Sequence, residues 1–266
     1  MMHHWLNKLR GKRERHSPKE ADEVRALLRK QWIYPATYAE PNDVYIAAFP
    51  KSGVTWLQHI SAGLIYGLDP ADVPDILVQT LIPDCHAMHF YLRTGLPTVF
   101  KTHSRPSRQM RRVVHLIRDG RDVAVSYCAM LRNQGHEQSL QDLCTSAWQE
   151  HTLSWLDNPF AADILRISYE QLHAEPLLTL SSYCNFLGLS ISRDAISNVV
   201  KRSQFELMQA KEDRQGWGPN DSVMKQRRFI RRGRIGSYKD EMPLEVLKQF
   251  NKNNRTALIK CGYIDV

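Results

Sequence analysis

A lysine, a serine, a glycine and a threonine stand together in Pro50-Lys-Ser-Gly-Val-Thr55, directly after an apolar run, Val44-Tyr-Ile-Ala-Ala-Phe49. These residue types suit an anion. Gly53 lets backbone come close to a ligand, Lys51 supplies a point charge, and Thr55 offers a hydroxyl where a helix would begin. A helix start also presents backbone N–H groups that lack intrahelical partners, so strand, tight loop and helix make an anion-binding layout. Two further clusters carry charge: Arg105 to Arg121 holds six basic residues, and Lys225 to Arg234 (KQRRFIRRGR) holds six in ten. Arginine's planar fork donates two hydrogen bonds together, which matches a phosphate. Taken alone, Arg118-Asp-Gly-Arg121 reads equally well as a salt-bridged turn. The second run, by itself, reads as a solvated basic loop or a nucleic-acid patch.

The elements that must position these residues follow from periodicity. Ala21 to Gln31 reads as a short helix with Val24, Leu27 and Leu28 on one face. Val44 to Phe49 reads as a buried strand of a parallel sheet. From Thr55 the chain is helical, with Trp56, Leu57, Ile60, Leu64 and Ile65 on one face and Gly67 as the stop. Further strands are expected at Thr98–Lys101, Val113–Ile117 and Ile164–Ser168. Helices are expected from Asp122 to about Arg132, from Ser139 (as N-cap) to Leu156, at Pro176–Leu187 before Gly188, and at Arg193–Lys201. Arg214 to Gly236 lacks periodicity and reads as a loop or lid, and Leu244 to Lys260 reads as one terminal helix. Strands alternating with helices predict an α/β fold: a central, mostly parallel sheet flanked by helices. No repeat or low-complexity linker divides the chain. Residues 1–20 are expected to be a basic, disordered tail and residues 21–266 a single domain.

Bulk properties agree with a globular chain. The 266 residues are 42% hydrophobic and 24% charged, enough for a sizeable core, and the net charge of +8 attracts anions without saying which. Five scattered cysteines with no CxxC pair are expected to be reduced and mostly buried, which suits a cytoplasmic setting. The basic N-terminus lacks the apolar run of a secretory signal, and no window is apolar for long enough to span a membrane. His86 and His89 lie near Cys85, but their spacing has no fourth partner, so no metal is expected.

Three segments resemble the sulfotransferase family, enzymes that use 3′-phosphoadenosine 5′-phosphosulfate (PAPS). Pro50-Lys-Ser-Gly-Val-Thr-Trp56 looks like that family's 5′-phosphosulfate loop, PKSGTTW, with Val54 replacing one hydroxyl. It is P-loop-like in its physics, yet GxxxxGK[ST] is absent: the lysine precedes the glycine. Val114 to Tyr127 (VHLIRDGRDVAVSY) is similar to the 3′-phosphate motif, and Phe229 to Lys239 (FIRRGRIGSYK) to RKGxxGDWK, with Ser237 for Asp and Tyr238 for Trp. Ser168-Tyr-Glu-Gln171 and Arg202-Ser-Gln-Phe-Glu-Leu-Met208 resemble two weaker anchors. The resemblance spans residues 44 to 240. It implies that Lys51, Ser52, Gly53, Val54, Thr55 and Trp56 hold the 5′-phosphate, with Trp56 stacked on adenine. It assigns Arg118, Ser126, Arg231, Arg232 and Gly233 to the 3′-phosphate, and Tyr169, Ser203 and Phe205 to the nucleoside.

The resemblance also implies the reaction: an in-line transfer of a sulfuryl group to an acceptor hydroxyl or amine, leaving 3′,5′-adenosine bisphosphate (PAP). Lys101-Thr-His103 falls where KTH does in the family. It makes His103 the general base, a task that suits an imidazole near neutral pH. Lys51 would neutralise the bridging oxygen, Lys101 the sulfuryl oxygens, and Ser126 would restrain Lys51 until acceptor binds; no metal is needed. The rivals are a P-loop-type kinase using ATP and magnesium, and a non-enzymatic binder of nucleic acid or another polyanion. Residues 68–97 and 205–228 are expected to wall the acceptor pocket, either with Leu81, Phe90, Tyr91 and Trp217 for an apolar acceptor or with His86, His89 and Arg93 for a polar one. The family's dimerisation signature (KxxxTVxxxE) is absent, and the sequence leaves the oligomeric state and the acceptor open.

Overall fold

A computed structural model describes residues 18–94, 97–216 and 229–265. In chain order it begins with α1 (Pro18–Lys30), β1 (Ile33–Pro35), β2 (Val44–Ala48), α2 (Val54–Tyr66) and α3 (Asp75–Leu81). Next come β3 (Phe90–Leu92), β4 (Val99–Thr102), β5 (Arg112–Ile117), α4 (Gly120–Asn133), α5 (Ala147–Asp157) and β6 (Asp163–Ser168). The chain ends with α6 (Tyr169–Ala174), α7 (Pro176–Leu187), α8 (Arg193–Arg202), α9 (Phe205–Gln215), α10 (Tyr238–Glu241), α11 (Leu244–Asn253) and α12 (Arg255–Lys260). Four strands form a parallel sheet in the order β4-β2-β5-β6, and β1 pairs antiparallel with β3 apart from it. The register sets Ala47 against Thr102, Ala48 against Leu116 and Ile117 against Ser168. The C-terminal ends of all four strands therefore lie side by side, where ligands of open parallel sheets bind.

Strand β2 is buried along its whole length because the sheet has helices on both faces. Its alternate side chains enter different cores. Val44, Ile46 and Ala48 join Leu57, Ile60, Leu180 and Ile196 on one side, whereas Tyr45 and Ala47 join Phe100, Val113 and Trp155 on the other. A third cluster packs α4 through Val123 and Val125 against Trp148, Phe250 and Leu258.

Several boundaries differ from the sequence expectation. The helix expected from Ser139 begins instead at Ala147. Ser139 and Asp142 bond each other's backbone N–H groups through their side chains, at 2.8 and 3.3 Å, and this closes a turn that competes with helix. The terminal helix breaks at Asn254, whose amide donates to the Thr145 and Phe250 carbonyls and accepts from the Gln149 N–H. Helix α9 occupies part of the expected lid. Its inward face carries Lys211 and Glu212 beside Met208, so charged residues interrupt the apolar periodicity that would have marked it. The first helix starts at Pro18; residues 1–17, assigned to a tail, and Trp217 lie outside the described residues. All five cysteines are free, with Cys128, Cys144 and Cys184 buried. Among the described residues no helix is long and apolar enough to cross a membrane.

Arg93 and Tyr91 were expected to face an acceptor, but both are buried structural groups. Arg93 binds both carboxylate oxygens of Asp43 at 2.9 Å, and Asp43 also accepts from the Thr98 and Glu40 N–H groups. The hydroxyl of Tyr91 accepts from Arg93 and donates to the Tyr38 carbonyl. Arg93 also reaches the half-exposed Glu40 at 2.9 Å, so Asp43→Ala would leave the arginine one carboxylate partner but deprive the buried Thr98 N–H of its acceptor. That substitution is expected to lower stability by about 1–3 kcal/mol, read as a drop in the denaturation midpoint.

Candidate functional site

The loop between β2 and α2 is bent by two left-handed residues, Lys51 at φ 70° and Gly53 at φ 93°. A lysine in that region is strained by roughly 1–3 kcal/mol, and such strain concentrates in functional loops. Gly53 is required twice over. Its dihedral favours glycine, and a Cβ there would stand 2.6 Å from the Tyr169 ring. Val54 opens α2, so the first N–H groups of that helix face the loop without intrahelical partners.

Arg118 ends β5 and is 8% exposed. Its guanidinium lies 4.2 Å from the Tyr169 ring centre and donates to the Arg234 carbonyl at 3.0 Å. Its Nε is buried without a hydrogen-bond partner among the described residues. Tyr169 donates to the Gly233 carbonyl at 2.9 Å and meets Trp56 edge to face, with ring centres 5.7 Å apart. Trp56 in turn donates to the Ser203 carbonyl at 2.7 Å. Gly233 has φ 58°, and a Cβ there would stand 2.4 Å from Phe205. Residues 236–238 are fixed to α4 because the buried carboxylate of Asp122 accepts from the Gly236 and Tyr238 N–H groups.

These segments enclose a cavity of about 430 Å³. Lys51, Gly53, Val54, Thr55, Trp56, Lys101, His103, Arg118, Ser126, Tyr169, Ser203, Phe205, Arg231, Arg232 and Gly233 all line it. Of the residues assigned from sequence to the nucleotide or to catalysis, Ser52 alone does not, and none of Leu81, His86, His89, Phe90, Tyr91 and Arg93, assigned to an acceptor, lines it either. Ser52 is 1% exposed, and its hydroxyl is buried beneath the loop. The Lys51 ammonium sits 3.9 Å from the Phe229 ring centre. Its pKa is pushed down to about 8, first by burial and then by the charges of Arg118 and Lys101. The His103 Nδ1 lies 2.8 Å from the Ala48 carbonyl oxygen. That oxygen only accepts, so Nδ1 carries the proton and Nε2 keeps its lone pair. Burial lowers the His103 pKa below its ordinary value, and the charge of Lys101 adds to this.

The basic run is not a bare patch. Arg231 and Arg232 both pair with Glu241, and Arg234 pairs with Asp240. The remainder of the run, residues 225–228, lies outside the described residues. Tyr127, Met130, His173, Met208 and Phe229 also line the cavity and were not singled out from sequence. His173 follows Tyr169 by four residues and shares its helix face, a spacing that could have found it. Met130, four residues beyond Ser126 on α4, is the same case.

A sulfotransferase domain model matches residues 41–262. The chain belongs to the sulfotransferase family. Sulfotransferase 1E1 of Cavia porcellus is 24% identical over 267 residues, spanning 87% of this chain and 90% of that protein. Human sulfotransferase 2B1 is 25% identical, spanning 82% of this chain and 66% of its own. The fold is that of a retinol dehydratase solved in a complex with retinol and PAP. That likeness has a TM-score of 0.63 and 19% identity, and covers 83% of this chain and 82% of the other. In this sulfotransferase the Gly53 cradle gives a direct test. Gly53→Ala adds roughly 1–2 kcal/mol of backbone strain and displaces Tyr169, so PAP affinity is expected to fall at least about tenfold by calorimetry. Gly67→Ala, also left-handed but with nothing within 4 Å of its Cβ position, should leave that affinity unchanged.

Proposed function

We propose that this sulfotransferase transfers the sulfuryl group of PAPS to an acceptor hydroxyl or amine by in-line displacement, with His103 as general base. The observation that carries the reading is the convergence on one cavity of a glycine-cradled helix start, a buried arginine and an accept-ready imidazole. The residues fit the nucleotide: Arg118 has a buried Nε–H without a partner among the described residues, and Gly53 and Gly233 let the Tyr169 and Phe205 rings close against the loops that line the cavity. PAPS supplies the sulfuryl group and its phosphate leaving group; the chain supplies everything else.

The N–H groups of Ser52 to Trp56 hold the 5′-phosphate, with Lys51 neutralising the oxygen that departs. Ser126 lines the same wall and restrains Lys51 until the acceptor arrives. Arg118, Ser126, Arg231, Arg232 and Gly233 hold the 3′-phosphate, and the arginines do so as two-pronged donors. Trp56, Tyr169, Ser203 and Phe205 flank the nucleoside. Lys101 stabilises the sulfuryl oxygens as the bond to sulfur breaks. The Nε2 lone pair of His103 takes the acceptor proton, and the Ala48 carbonyl fixes the tautomer that makes this available. A lowered pKa keeps that lone pair free below the ordinary imidazole midpoint, so turnover persists into mildly acidic solution.

Retinol and steroid names among the relatives support a small-molecule acceptor. The match over residues 41–262 supports reading 21–266 as one domain. The five free thiols support a cytoplasmic setting. Transfer from PAPS in excess chelator is the experiment. Wild type is expected to turn over without magnesium, whereas His103→Gln should keep PAP affinity and lose about 10²- to 10⁴-fold in kcat. A magnesium requirement, or undiminished turnover in His103→Gln, contradicts the assignment.

A further inference from the structure

We infer that Asp84 and His86 are positioning residues that hold Lys101 and His103 together as one unit. The inference rests on the sulfuryl-transfer reading above. The segment after α3 runs beside β4 and pairs with it at a single point, where Asp84 stands opposite Lys101. Lys101 N–H donates to the Pro83 carbonyl and Cys85 N–H to the Lys101 carbonyl, each at 2.9 Å. The side chains repeat the grip. The Lys101 ammonium lies 2.8 Å from the Asp84 carboxylate, with both groups nearly buried at 13% and 11% exposure. The other oxygen of Asp84 accepts from the His86 N–H at 2.9 Å. His86 then accepts, through Nε2, the backbone N–H of His103 at 3.0 Å. The two imidazoles lie nearly parallel, 22° apart with centres at 5.8 Å. A single tight turn therefore touches both groups that the chemistry needs.

This arrangement has an electrostatic consequence. The groups facing His103 are Lys101 on β4, Asp84 and His86 on the preceding segment, and His151 on α5. Lys101 disfavours an imidazolium at His103, and Asp84 favours one. Asp84 thus serves two ends: it aims the lysine and offsets the lysine's field at the base. A weaker base would take the acceptor proton less effectively, so the offset bears directly on rate.

The test is an NMR titration of the His103 imidazole in the full chain without nucleotide, followed by pH profiles of kcat. Asp84→Asn keeps the shape and can still accept from the His86 N–H, and is expected to move the His103 midpoint down. Asp84→Glu should return it, and Lys101→Met should move it up. Opposite signs at two partners are not what general loosening of the loop produces. In turnover, the acid limb for Asp84→Asn should shift the same way as its titration, with the KM for PAPS held near wild type. His86→Ala should lower kcat by about tenfold, the worth of one hydrogen bond, and His86→Gln should restore it. Unmoved His103 midpoints in both Asp84→Asn and Lys101→Met would overturn the inference. Failure of the parent reading shows separately, as a wild-type chain that does not turn over PAPS although its His103 titration still responds to Asp84.

Discussion

Like charges gathered in a buried space repel one another, and this site is built on that tension. Lys51, Lys101, Arg118 and Arg231 converge on a cavity in which the first of them is pushed down to about 8 by burial and by the charges of the other three. Hydrophobic burial elsewhere must hold such an arrangement together, because the cations themselves oppose it. A ligand with negative charge at both ends, as in the proposed function, would relieve the repulsion and draw affinity from that relief. The carboxylates nearby offset part of the repulsion: Asp84 pairs with Lys101, Glu241 with Arg231, and Asp122 lies 3.7 Å from Arg118, whereas the Lys51 ammonium faces the Phe229 ring.

The scaffold brings the cations together by topology. Parallel pairing in register sets the ends of β2, β4 and β5 side by side, so Lys51, His103 and Arg118 follow within a few residues of adjacent strand ends. The remaining wall comes from far along the chain and needs tethers. Glu212 on α9 accepts from the N–H groups of Phe229 and Ile230, Tyr169 holds the Gly233 carbonyl, and Asp122 anchors residues 236–238. These directional polar bonds add to apolar contacts, since Tyr238 packs on the cluster of Trp148 and Phe250.

Much of this was legible in the sequence where one physical signal dominates. The run Val44–Phe49 announced a buried strand, and Gly67 and Gly188 marked helix ends because left-handed caps favour glycine. The tight loop at Lys51–Gly53 between strand and helix was readable from residue type and spacing, whereas the turn at Arg118 read equally well as a salt-bridged one. The signal failed where polar side chains decide local structure. Ser139 and Asp142 turned an expected helix into a turn, Asn254 broke another, and Lys211 with Glu212 set charge beside Met208 on the inner face of α9. Arg93 looked like a ligand for an acceptor but serves Asp43 from 50 residues away, a partner that spacing does not reveal. The link from Asp84 to Lys101 was hidden for the same reason.

We propose that the cavity is shaped for an adenosine bearing phosphates at its 3′ and 5′ ends, with a Lys51 ammonium of lowered pKa set to meet them. Isothermal calorimetry of PAP against ATP, in excess chelator near pH 9 and in buffers of different ionisation enthalpy, tests it most directly. Because a bound anion raises the lysine's pKa, PAP binding should take up protons at that pH, Lys51→Met should abolish the uptake, and ATP should bind far more weakly. Equal affinity for the two nucleotides, or PAP binding with no proton uptake in the wild type, would contradict it.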